Sequence, residues 1–144
     1  MSGHILVREH GEDVPILLKA ILRIEGDNEY VTVILKNGKR FTRQVGSIGV
    51  WDRKNISCMV KIWRSHIVNY HRVVSFSLSK GVMLSLCSIK EYEKMLALKD
   101  ENEREEAIRK NTLRLPLNVA GKVALDICYE KENNANPPGL PEAA

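Results

Sequence analysis

Met59-Val60-Lys61-Ile62-Trp63-Arg64-Ser65-His66-Ile67-Val68-Asn69-Tyr70 carries two apolar runs separated by a polar knot, Arg64-Ser65-His66. Side chains alternate across a strand with period two, so Val60 and Ile62 point one way and Lys61 and Trp63 the other. Polar groups between buried runs need water or a partner. The knot is therefore either a solvated turn or a contact surface.

Strand and turn signals extend in both directions. Upstream, Tyr30 to Leu35 is rich in β-branched and aromatic residues and predicts a strand. Asn37-Gly38, within Lys36-Asn37-Gly38-Lys39, is the strongest short hairpin signal, because both central residues of a type I′ turn need positive φ. Arg40 to Val45 is the return strand. Ser47 is a candidate cap for a short helix, which Gly49 weakens. Downstream, Arg72 to Leu78 and Val82 to Cys87 read as strands about the turn Ser79-Lys80-Gly81. Ser88-Ile89-Lys90-Glu91 then matches a capping box. Ile89, Tyr92, Met95, Leu96 and Leu98 give an apolar helical face.

The ends are less regular. Ile5 to Val7 is a short apolar run before a turn-like cluster, Arg8 to Asp13. Val14 to Ile24 reads as strand, corner, strand, with the corner at Lys19, and Glu25 to Glu29 is a polar loop. From Lys99 to Lys110 the helix is expected to continue as a solvated extension. Asp100–Arg104, Glu105–Arg109 and Glu106–Lys110 are its i,i+4 pairs, each worth about 0.3–0.5 kcal/mol. Leu113 to Leu117 and Val123 to Tyr129 read as short strands around Asn118 to Lys122. Asn133 to Ala144 holds three prolines and almost no core formers, which predicts disorder. The expected organisation is a domain over 1–98, an extension over 99–130 and a disordered tail over 131–144.

A chain of 144 residues is long enough for one domain with a real core. No apolar run approaches the roughly 20 residues that span a bilayer. The N-terminus shows no charged segment leading into an apolar one, so no signal peptide is expected. Cys58, Cys87 and Cys128 are widely spaced, without the C-x-x-C pattern of a zinc site, and a reduced, cytoplasmic protein is expected. The net charge of +4 is uneven: residues 1–98 carry 15 Lys and Arg against 9 Asp and Glu, whereas 99–144 carry 7 against 9. Between Lys36 and Arg72 stand nine basic residues and one acid, Asp52. That cluster is either a footprint for a polyanion or a solvated basic surface.

No catalytic constellation emerges. Ser65 and His66 are adjacent and face opposite sides of a strand, which is poor geometry for a dyad. His66 and His71 are five apart, an odd offset that keeps them from converging on a metal. Gly46 and Gly49 lack the Lys-Ser/Thr of a phosphate-binding loop. No enzyme activity and no cofactor are expected. Trp63 is either a core anchor or a stacking platform. Arg64, in a basic segment, suits bidentate contact with guanine or phosphate. Lys39, Arg40 and Lys54 are candidate phosphate neutralisers.

The order of motifs resembles the LytTR DNA-binding domain family over about residues 4–98. Ile21-Leu22-Arg23-Ile24-Glu25-Gly26-Asp27-Asn28-Glu29-Tyr30-Val31-Thr32-Val33 is similar to that family's first signature. Ile62-Trp63-Arg64-Ser65-His66-Ile67-Val68-Asn69 resembles its second, and Gly81 to Ser88 its closing strand and serine. Trp63 stands where the family usually has histidine, and Lys90 where arginine is common. The resemblance implies an elongated, mostly β fold of several sheets with small helices, to which this chain adds a C-terminal helical and strand extension. It implies a stand-alone bacterial transcription regulator whose loops enter successive major grooves of double-stranded DNA at promoter repeats, as a homodimer or in pairs. It maps DNA contacts to Asn28 and Glu29, to Arg64 with its neighbour Ser65, and to Lys90. The alternative is a β-rich protein-interaction module whose basic face meets an acidic partner.

Overall fold

The computed structural model describes residues 3–135. Strands β1 (His4–Glu9) and β2 (Glu12–Leu17) form a hairpin. His10 and Gly11 close it, with φ of 53° and 79°. The strands thus run through the charged residues expected to be a turn. Pro15 is tolerated because β2 is an edge strand. A 3-10 turn, Leu18–Ala20, makes the corner expected at Lys19. Then come β3 (Ile21–Asp27), β4 (Tyr30–Leu35), β5 (Arg40–Val45), α1 (Ile48–Asp52), β6 (Met59–Trp63) and β7 (His66–Asn69). A second 3-10 turn, Tyr70–Arg72, leads into β8 (Val73–Ser77) and β9 (Gly81–Ser85). The chain ends in α2 (Ile89–Leu96), α3 (Glu101–Lys110), β10 (Thr112–Leu115) and α4 (Val119–Ala135).

The fold is mostly β, in three antiparallel sheets with short helices. A central sheet of five strands has the order β5-β4-β3-β7-β6, and β10-β9-β8 and β1-β2 are separate. Apolar side chains fill both faces of the central sheet. On one face Ile24, Val31, Val33, Phe41 and Ile67 pack with Val7 and Ile16 of the first hairpin and with Trp51 and Ile56. On the other, Val60, Ile62 and Val68 pack with Val82, Leu84, Leu115, Leu117 and Leu125. Full burial of each such side chain is worth roughly 1.5–3 kcal/mol. The second core takes residues from β10 and α4, so the boundary expected at residue 98 runs through it.

Val60 and Ile62 are buried together, as alternation requires. Trp63 departs from it. A register shift between Lys61 and Trp63 swings the indole round to pack on the second core. Asn69 is fully buried, and its amide donates to the Ile21 carbonyl at 3.0 Å while its side-chain oxygen accepts from His71 N–H at 3.0 Å.

Two expectations are corrected. Val123 to Tyr129 is helix, not strand. Its apolar residues fit a period of two, yet Gly121, Leu125, Cys128 and Tyr129 also share one helical face. The Asn118 side chain decides the matter by accepting from Gly121 N–H at 2.7 Å, and Lys122 pairs with Asp126 at 2.8 Å. The charged extension is likewise a separate helix. Asp100 restarts it by accepting from Glu103 N–H at 3.0 Å, and Arg104 turns away to the Leu98 carbonyl at 2.9 Å. Glu106, not Glu105, pairs with Arg109 at 2.7 Å, and it also reaches Lys110 at 3.4 Å. Helix α4 runs to Ala135. The remainder of the tail expected to be disordered, 136–144, lies outside the described residues.

Candidate nucleic-acid interface

Strands β3 and β7 pair antiparallel, with Glu25 opposite His66. The turn that leaves β3 and the turn that enters β7 therefore lie side by side at one end of the central sheet. Gly26 N–H donates to the Ser65 carbonyl at 2.8 Å and ties them together. Asn28 takes φ of 59° in the first turn, a left-handed conformation that asparagine accepts more readily than most residues. The helix α1, capped by Ser47, closes the third side. A Cβ on Gly26 would stand 3.1 Å from the Ile48 Cβ, so glycine admits the helix closely.

These pieces enclose an open cleft of about 370 Å³ lined by Gly26, Asp27, Asn28, Ser47, Ile48, Arg64 and Ser65. Glu29 lies beside it, lining an adjoining cleft with Tyr30, Val45, Gly46 and Ser47. The Arg64 guanidinium carbon stands 6.0 Å from the centroid of the Trp63 ring. Trp63 thus packs on the second core and also lies beside Arg64. Among the described residues Arg64 has no carboxylate partner. The end of the sheet therefore presents an amide, a hydroxyl and a guanidinium, flanked by Asp27 and Glu29.

The other expected contacts are elsewhere. Lys39 sits at the opposite end of the central sheet, 3.4 Å from Glu9 and 4.9 Å from the Phe41 ring centroid. Arg40 neighbours it and pairs with Glu25 at 3.4 Å. Lys54 follows α1 with its ammonium 4.9 Å from the Trp51 ring. Lys90 is exposed on the first turn of α2, where Ser88 accepts from Glu91 N–H at 3.2 Å and its hydroxyl donates to the Glu91 carboxylate at 3.0 Å. Asn28, Arg64 and Ser65 meet in one cleft; Lys39, Arg40, Lys54 and Lys90 do not join them. Ser47 and Ile48 line the cleft without having been expected there. Ser47 was legible as a cap, but nothing in its neighbours says which loop the capped helix meets.

His66 faces Glu25 across the strand pair, and its Nδ1 is buried with no hydrogen-bond partner. Burial pushes its pKa below the ordinary histidine value, against the pull of Glu25. Among the described residues no group of His, Cys, Asp and Glu is placed to hold a metal ion, and no helix is long and apolar enough to cross a membrane.

No protein-family model and no curated protein matches this chain. Among solved structures it is similar to the LytTr DNA-binding domain of a putative methyl-accepting/DNA response regulator from Bacillus cereus. The two are 14% identical, with 68% of this chain and 99% of that one covered and a TM-score of 0.47.

Proposed function

We propose that this chain binds double-stranded DNA sequence-specifically and regulates transcription. The observation that carries the reading is the shared cleft of Asn28, Arg64 and Ser65, residues separated in sequence and joined through the Gly26–Ser65 hydrogen bond. They are the positions at which the LytTR resemblance puts contacts. Arg64 is the reader: a guanidinium donates two parallel bonds to guanine O6 and N7 or to a phosphate. The Asn28 amide suits a base edge, and the Ser65 hydroxyl a base or phosphate. Asp27 and Glu29 fit a donor such as the cytosine amino group and repel backbone phosphate. Lys39, Arg40, Lys54 and Lys90 neutralise phosphate farther along the duplex.

The test is selection from a genomic-fragment pool with the pure protein, followed by a salt titration on the selected duplex. A recurring short motif, and an affinity that falls steeply with salt, are expected. Repeats of the motif at a fixed spacing would bear on paired binding. Absence of any duplex binding at low salt overturns the reading and favours the interaction module with an acidic partner.

A further inference from the structure

At the far end of the central sheet, away from Arg64, a second cleft of about 380 Å³ opens between the β4–β5 hairpin tip and the strands β9 and β10. Three cations, Arg23, Lys36 and Arg40, line it together with Leu22, Leu86 and Leu113. The charges are poorly matched. One carboxylate, Glu25, serves two guanidiniums, at 3.5 Å from Arg23 and 3.4 Å from Arg40. Among the described residues Lys36 has no ion-pair partner, and Arg72 and Lys19 add repulsion to the burial that holds its pKa down. The Arg23 side chain is only 12% exposed. Its Nη1 is out of contact with water, with a Glu25 carboxylate oxygen 3.5 Å away as its neighbour. Three cations against one carboxylate leave a positive excess that an anion in the cleft would offset.

The walls are of the other kind. Leu22 is buried, Leu113 half-buried and Leu86 38% exposed. A bare phosphate would leave this apolar surface wet, and a neutral apolar molecule would leave the cations uncompensated. We propose that this cleft binds an amphipathic anion, with a carboxylate head among Arg23, Lys36 and Arg40 and an apolar body against Leu22, Leu86 and Leu113. The assignment rests on no part of the DNA reading. An acidic head offsets the excess positive charge, and the apolar body desolvates the leucines.

The probe is octanoate, titrated by calorimetry into the full chain without DNA, with octylammonium and inorganic phosphate as controls and amide chemical shifts as the map. Saturable binding of one octanoate per chain is expected, with shifts centred on Lys36–Arg40 and Leu86. Octylammonium should not bind, and phosphate should bind at least about tenfold more weakly. Lys36→Gln and Leu86→Ser, both at positions outside the sealed core, should each weaken octanoate about tenfold and leave the circular dichroism unchanged. The assignment is overturned by no saturable heat at millimolar octanoate, by phosphate binding as tightly as octanoate, by equal binding to both variants, or by shifts centred elsewhere.

Discussion

A Cβ added at Gly121 of α4 would stand 2.6 Å from the Ile62 carbonyl oxygen and 2.7 Å from the Ile62 Cα. The same carbonyl accepts from Asn118 N–H at 3.0 Å. The helix is therefore seated directly on the backbone of β6, the strand that leads into Arg64. Gly121→Ala forces the backbones apart, because neither atom belongs to a flexible side chain. Overpacking of this kind costs about 1–3 kcal/mol. Urea denaturation of parent and variant measures it, and a loss below about 0.5 kcal/mol, the range of neutral surface changes, would show that α4 is not held at this contact.

Removal of the segment after residue 98 should be worse. It strips Leu115, Leu117 and Leu125 from the second core and leaves Ile62, Val68, Val82 and Leu84, each now 0% exposed, facing water. It also takes away β10, the partner of β9. A fragment of residues 1–98 is expected to melt without a cooperative transition or to associate, in contrast to the full chain. Circular dichroism melts with sedimentation velocity distinguish these outcomes. A sharp, monomeric melt of the fragment contradicts the expectation.

Where local chemistry decides a structure, it was readable in advance. Asn37-Gly38 marks the hairpin, but the turn is not the expected type I′: Gly38 takes φ of 91° while Asn37 keeps a negative φ, and the Asn37 side chain accepts from Lys39 N–H at 2.9 Å. At the expected Ser88–Glu91 capping box the serine hydroxyl accepts from Glu91 N–H as expected, while Glu91 reaches back to that hydroxyl instead of to the Ser88 backbone N–H. Where two periods fit one segment, the sequence was ambiguous. Val123, Leu125, Ile127 and Tyr129 alternate like a strand, and only the Asn118 cap and the Ile62 backbone favour the helix. Long-range placement was least legible. Arg64 and Asn28 were separate candidates, and it takes the β3–β7 pairing to bring them together. The basic run from Lys36 to Arg72 looked like one patch, but the hairpins send Lys36, Lys39 and Arg40 to one end of the sheet and Arg64 to the other. Arg23 was hidden within an apolar strand, because a one-residue irregularity between Ile21 and Arg23 turns it into the second cleft.

His66 gives a pH signature. Its folded-state pKa lies below the ordinary value of 6.5, chiefly through burial. The unfolded chain therefore takes up the proton first as pH falls, and stability drops from about pH 6.5 down towards the folded pKa. Above the ordinary value both states are neutral and the effect is absent. His66→Gln should flatten this limb of the stability-against-pH curve relative to the parent, with the two curves parallel above neutrality. Denaturant midpoints across pH 5–8 make the comparison, and parallel curves over the whole range would show that His66 is not buried in its neutral form.

The last prediction separates a base reader from phosphate contacts. Arg64 has no ion-pair partner among the described residues, so Arg64→Ala should leave the fold intact. Losing a bidentate contact to a base costs about 1–3 kcal/mol at one position of the site and nothing on a scrambled duplex. Arg64→Ala is therefore expected to abolish discrimination between the selected and scrambled sequences. Arg40 pairs with Glu25 through a partly exposed contact at 3.4 Å, which contributes little to the fold. As a phosphate contact its loss should weaken both duplexes alike and flatten the salt slope by about one unit. Lys90→Arg exchanges a point charge for a planar fork on the first turn of α2 and should tighten binding if that turn meets DNA. Affinities of the parent and the three variants for both duplexes, at two salt concentrations, give the full comparison. If Arg64→Ala keeps its specificity ratio within about a factor of two of the parent, Arg64 does not read bases. The knot Trp63-Arg64-Ser65-His66 is then a solvated corner of the sheet, and the cleft it shares with Asn28 has no part in choosing a sequence.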